Sequence, residues 1–157
     1  MASRRGSFFW NAYARVYDLA WDSPISSAAA RLVGERVMPA PQSTTVDLGC
    51  GTGLFGQAFG DVGRVIGVDT STRMLQQALN SRRLDVGVVG DAAQTGLANE
   101  VADVVVVANV LHVATDPMAV MAEASRISRR AESTRLICVL PTEGLTPGKV
   151  ALAERMA

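Results

Sequence analysis

The sequence predicts an α/β chain: a doubly wound parallel sheet, ordered 3-2-1-4-5, with helices on both faces. Three observations predict it. Short apolar runs rich in β-branched residues recur along the chain, as strands buried on both faces require. Between them lie segments with helix-start signals, a capping residue followed by proline at Ser23-Pro24, Asp116-Pro117 and Thr146-Pro147. The first apolar run, Thr44-Thr45-Val46-Asp47-Leu48, opens directly into Gly49-Cys50-Gly51-Thr52-Gly53, the strand-to-loop step at which open α/β sheets bring backbone close to a ligand.

Taken in order, residues 8–20 carry Phe8, Phe9, Tyr13, Val16, Tyr17 and Ala20 at mixed three- and four-residue spacing, which suits an amphipathic helix. A second helix starts at Pro24 and ends before Pro39-Ala40-Pro41. Strand one follows, then the glycine loop, with helix-compatible Leu54 to Phe59 behind it. Strand two, Arg64 to Val68, ends at Asp69, and a helix runs from Ser71. Strand three, Leu84 to Val89, ends in Gly90-Asp91-Ala92; strand four, Ala102 to Val107, ends in Ala108-Asn109-Val110-Leu111-His112. Between Asp116 and Arg130, Met118, Val120, Met121, Ala124 and Ile127 form a face to lay on the sheet, and Ser133 to Leu140 supplies strand five. The chain reads as one domain: a helical cap over about 8–38, a core over about 43–140 and a C-terminal helix over about 147–157.

Composition narrows the function classes. The 157 residues are 48% hydrophobic and 19% charged, enough to bury a core. The net charge of zero argues against a nucleic acid held by phosphate neutralisation. Lys149 is the lone lysine, and the arginine pairs Arg82-Arg83 and Arg129-Arg130 fall at expected helix ends, where cations suit the dipole. No apolar run approaches the roughly 20 residues of a membrane span. No charged-then-apolar segment precedes Trp10, so a cytoplasmic location is expected. Cys50 and Cys138 lie in different segments without metal-ligand spacing, and both read as small buried fillers.

The spacing of polar residues marks a site. Sixteen residues beyond Gly53, Asp69 stands where a second strand ends beside the first, placed to accept hydrogen bonds from both hydroxyls of a ribose. It is alternatively a cap for the helix from Ser71. Asp47 can brace the loop, Asp91 can serve as a turn residue, and Met74 falls one turn into the helix after Asp69, where core packing is the plain reading. The four strand ends line one carboxyl edge of the sheet, with the single histidine, His112, just past strand four.

These residues resemble the class I S-adenosylmethionine-dependent methyltransferases, specifically the small-molecule branch. Val46 to Gly53 is similar to that family's glycine motif and Gly67-Val68-Asp69-Thr70-Ser71-Thr72-Arg73-Met74-Leu75 to its ribose-acid segment. Gly90-Asp91-Ala92 is similar to its adenine turn, and Asp103 through His112 with Asp116-Pro117 to its fourth-strand segment. The resemblance covers roughly Tyr13 to Leu140. It implies a Rossmann-like fold and S-adenosyl-L-methionine as cofactor, with S-adenosyl-L-homocysteine as product. The cofactor contacts it implies are Tyr17, Asp47, Gly49, Cys50, Gly51, Gly53, Asp69, Thr70, Met74, Asp91, Ala92, Asn109 and Val110, with no metal.

The implied reaction moves the sulfonium methyl in line to an oxygen, nitrogen or carbon of a small-molecule acceptor, with His112 as candidate base. The acceptor pocket is expected between Phe9, Trp10, Tyr13, Tyr17 and Trp21 and the segment Asn109 to Thr115. The family continues into an antiparallel sixth and seventh strand, which nothing after Leu140 supplies in full, so a C-terminally shortened sheet is expected. A homodimer through the open edge of strand five, or a cofactor-binding form with little transferase activity, follows from that expectation. Gly51-Thr52-Gly53-Leu54-Phe55-Gly56 also fits the dinucleotide fingerprint, which keeps a nicotinamide oxidoreductase as an alternative.

Overall fold

The computed structural model describes residues 10–11, 24–60 and 63–140. The elements are α1 (Pro24–Val37), β1 (Thr44–Leu48), a single 3-10 turn (Gly56–Phe59), β2 (Arg64–Asp69), α2 (Thr72–Asn80), β3 (Val86–Val89), β4 (Val104–Ala108), α3 (Pro117–Ile127) and β5 (Arg135–Val139). The five strands form one sheet in the order β3-β2-β1-β4-β5, every neighbouring pair parallel, as the sequence predicts. The expected helix over residues 147–157, and all but Trp10 and Asn11 of the helix over 8–20, lie outside the described residues. Trp10 and Asn11 are helical.

Strand pleating sorts the side chains onto two faces. Val65, Val104 and Val106 turn toward α1, α2 and the 3-10 turn, where they pack with Phe55, Phe59 and Leu84. Val46, Leu48, Val68, Val105 and Val107 turn to the other face, toward Val120, Ala124 and Ile127 of α3. The burial of β4 on every residue explains its unbroken valine run.

Three local expectations are corrected. Leu54 to Phe59 is a turn followed by the 3-10 turn, not a full helix. A Cβ on Gly56 would lie 2.8 Å from a Leu84 methyl, so this stretch is pressed against the strand-three approach. On α3, Met118 is 76% exposed; Val120, Glu123, Ala124 and Ile127 are the buried stripe, and Met118 sits two residues off it. Cys138 is exposed, because β5 pairs only with β4 among the described residues and its side chains are mostly half-covered or open. Leu136 and Leu140 are 41% and 51% exposed beside it.

The helix signals hold where they are described. α1 begins at Pro24, and Asp116 caps α3 by accepting the Ala119 N–H at 3.0 Å, with Pro117 in the first turn. No helix among the described residues is long and apolar enough to cross a membrane.

The β3–β4 connection is tied down by a group that the sequence reading missed. Glu123, buried on α3, accepts from the Thr95 N–H (2.8 Å) and hydroxyl (2.6 Å) and from Arg126 (2.7 Å), which also donates to the Leu97 carbonyl (2.8 Å). The Arg126 guanidinium beside it, followed by the Thr95 donors, holds the Glu123 carboxyl at about 2. A depressed carboxyl stabilises the fold above its ordinary value near 4.5, and the effect fades as pH falls toward 2. Glu123→Ala is therefore expected to lower the unfolding free energy by about 2–3 kcal/mol at pH 7. Urea denaturation should show the gap to the unaltered chain shrinking between pH 4.5 and 2; a gap constant over that range would contradict the ionic account.

Candidate functional site

The carboxyl ends of β1 and β2 meet at two acids. Asp47 lies between Val46 and Leu48, whose side chains face α3, so strand alternation turns Asp47 to the opposite, α1 and α2, face. It is 1% exposed, and neither carboxylate oxygen has a hydrogen-bond partner among the described residues. Burial, then the neighbouring Asp69 charge, pushes the Asp47 carboxyl up to about 7; the Gly56 amide opposes this from beyond hydrogen-bond geometry. A buried acid without partners is costly, and such groups concentrate at functional sites.

Asp69, the last residue of β2, acts as a staple. Its Oδ2 accepts the Gly51 N–H at 2.9 Å and its Oδ1 the Ser71 N–H at 2.8 Å. Burial raises its carboxyl, and the Ser71, Gly51 and Thr70 amides pull it back down. Each oxygen keeps a second lone pair for a ligand hydroxyl. Ser71, not Asp69, is the α2 cap: its Oγ accepts the Met74 N–H at 3.2 Å.

The loop between the acids is buried from Cys50 to Gly53. Gly49 and Gly53 adopt φ of +66° and +79°. A Cβ on Gly49 would overlap Val110, and one on Gly53 would lie 2.9 Å from Arg83 Cβ. At both positions the chain's own packing demands glycine, in addition to any close approach by a ligand. Cys50 packs in the apolar cluster with Leu84, and burial followed by Asp47 and Asp69 pushes its thiol up.

The remaining residues divide. Met74 is 1% exposed in the first turn of α2, and Thr70 is half-buried beside Asp69. Asp91 spends Oδ1 on the Ala93 N–H (2.9 Å), the turn role the sequence allowed, next to half-buried Ala92. Gly90 donates to the Asp69 carbonyl at 3.1 Å, so this turn adjoins the staple. Asn109 takes φ of +57°, uncommon for a residue other than glycine, and donates its N–H to the Val139 carbonyl at 2.8 Å. That geometry aims Val110 at Gly49. His112 keeps an exposed face in the turn before α3, and partial desolvation of the rest lowers its imidazole. Tyr17, Phe9, Tyr13 and Trp21 lie outside the described residues. One residue the sequence reading missed joins the site: Asn11 bonds to Ser71, Thr72 and Arg73 at the start of α2. Its only sequence signal was its place in an aromatic, helix-compatible stretch.

Asp47 carries a sign that can be measured. Its carboxyl is raised in the fold, so its neutral form is fully favourable below about 4 and the stability is lost as pH rises through about 7. Asp47→Asn is expected to stabilise the chain by about 2–4 kcal/mol at pH 8, with the gain vanishing near pH 4. Thermal unfolding across that range checks it; a destabilised variant at pH 8 would mean the carboxylate has a compensating partner.

Comparison with known proteins gives the family and the fold. The family described as "Methyltransferase domain" matches residues 46–131, from the middle of β1 to just past α3. No curated protein sequence matches the chain. Among solved structures, the complex of the Haloferax volcanii Trm112 methyltransferase activator with a methyltransferase aligns at 26% identity and TM-score 0.62, covering 76% of this chain and 55% of that one. An S-adenosyl-L-methionine-dependent methyltransferase of Methanococcus maripaludis aligns at 19% identity and TM-score 0.62, covering 78% and 59%. A SAM-dependent methyltransferase of Thermotoga maritima aligns at 25% identity and TM-score 0.57, covering 76% and 56%. The chain thus spans somewhat over half the length of these relatives. With the domain match running over more than half of its residues, the chain belongs to the methyltransferase domain family and has the fold of the S-adenosylmethionine-dependent enzymes.

Proposed function

We propose that the chain uses S-adenosyl-L-methionine to methylate an oxygen, nitrogen or carbon nucleophile of a small-molecule acceptor. The observation that carries this reading is the unpartnered, buried carboxylate of Asp47 beside Asp69 at the mouth of the glycine loop. A carboxylate so placed suits the amino group of the cofactor's methionine end, and Asp69 suits the ribose hydroxyls. Asp91, Ala92 and Met74 are assigned to the adenine, and Asn109 and Val110 to the wall opposite the loop.

Held by Asp47, Asp69 and the glycine loop, the cofactor would supply a methyl already activated by its positive sulfur, and S-adenosyl-L-homocysteine would be the product. The protein holds both partners in line and keeps water out, which is worth several kcal/mol of a barrier. The burial of Cys50 to Gly53 serves that exclusion. His112, its imidazole biased to the neutral form, has a free lone pair for a proton released by a hydroxyl or amine acceptor. The segment Asn109 to Thr115 and Trp10 are assigned to the acceptor side. The dinucleotide alternative gives way because the family match takes in the same glycine segment.

Calorimetry should find S-adenosyl-L-homocysteine binding and no NAD binding. Asp69→Ala should weaken the former by about 1.5–3 kcal/mol; equal affinity would sink the ribose assignment, and NAD binding would revive the alternative. Methyl-acceptor screens read as S-adenosyl-L-homocysteine release separate an enzyme from a mere binding module. Once an acceptor is found, His112→Ala should lower turnover by about 10²–10⁴ with product binding intact, whereas a loss under about threefold makes His112 a lining residue.

A further inference from the structure

Asn11 is remote from the glycine loop in sequence but joined to it by an unbroken run of hydrogen bonds. Its side-chain Oδ1 accepts from Ser71 Oγ at 2.8 Å, from the Arg73 N–H at 3.1 Å and from Thr72 Oγ1 at 3.4 Å. Its main-chain carbonyl accepts from Arg73 Nη1 at 3.5 Å. The Ser71 hydroxyl, having donated to Asn11, accepts the Met74 N–H. The Ser71 N–H donates to Asp69 Oδ1, and Asp69 Oδ2 accepts the Gly51 N–H.

The arrangement is more than a helix cap. The first turn of a helix leaves several N–H groups without internal partners. Ser71 already serves one of them at Met74, and Asn11, sixty residues away from Ser71, serves a second at Arg73. Ordering so distant a partner costs loop-closure entropy, yet it also holds the hydroxyl of Ser71, whose N–H, together with that of Gly51, orients Asp69. Without Asn11 the Ser71 hydroxyl loses one of its two holds and the Arg73 N–H its acceptor, so the turn that aims the Ser71 N–H at the carboxylate is less constrained.

We infer that Asn11 is a positioning residue: it clamps the Ser71–Arg73 turn so that the Asp69 carboxylate is held between the glycine loop and α2 in the orientation that receives the cofactor ribose. The inference rests on the ribose assignment proposed above, and it has a readout independent of that assignment. In the full-length protein, Asn11→Ala should speed amide exchange at Ser71 and Gly51 by about tenfold, while the core amides of Val105 and Val106 stay unchanged. It should also raise the dissociation constant for S-adenosyl-L-homocysteine by about 5–20-fold, the scale expected for a lost charge-oriented contact. Asn11→Asp keeps the acceptor oxygens and suits a helix N-terminus, so it should restore both within about twofold. Unchanged exchange at Ser71 and Gly51 in Asn11→Ala overturns the clamp. Faster exchange with unchanged affinity overturns its link to binding and leaves a purely structural cap. If the unaltered protein takes up no S-adenosyl-L-homocysteine, the proposed function fails, and the exchange measurement alone decides the clamp.

Discussion

The rest of the site depends on one carboxylate held between two backbone amides. Asp69 accepts from Gly51 on one side and Ser71 on the other, so the loop after β1 and the start of α2 cannot move independently. Charge-assisted bonds of this kind are about twice as strong as neutral ones, and here they join segments that enter from adjacent parallel strands. The turn after β3 completes the arrangement through the Gly90 N–H on the Asp69 carbonyl. Three strand ends are thereby gathered at one residue.

That gathering has a cost, and Asp47 carries it. The alternation that drives Val46 and Leu48 into the α3 face leaves the residue between them pointing into the other core layer. A hydrophobic side chain would stabilise that position; an acid without a partner does not. Proteins keep such groups where a ligand repays the desolvation, and under the proposed function the cofactor's cationic amino group is that ligand for Asp47. Under the proposed function, stability and binding are opposed at this residue.

Away from the acids, the fold positions the site by packing and by fixed polar ties. Val110 fills the space a side chain on Gly49 would need, which locks the β4–α3 turn against the glycine loop. Glu123 and Arg126 pin the loop that follows Asp91 to α3, the helix whose apolar stripe lies on the same sheet face. The outermost strand, β5, is the least covered part of the described sheet, and its side chains run from half-buried to exposed.

Local sequence alone determined the elements, their order and the acids at the strand ends. Period, capping residues and glycine spacing are short-range signals, and a parallel sheet with right-handed crossovers leaves few ways to connect them. The order 3-2-1-4-5, the Asp116 cap and the placement of Asp47, Asp69 and Asp91 at carboxyl ends were all legible in that way. What tertiary structure decided was which partner each polar group takes. Ser71 rather than Asp69 caps α2, Met118 turns outward, and Cys138 is exposed on an edge strand. The glycines at 49 and 53 answer to Val110 and Arg83, and the start of α2 answers to Asn11, because these neighbours come from segments 30 to 62 residues away. No window of sequence contains both ends of such a contact, so its existence is settled only when the sheet brings them together.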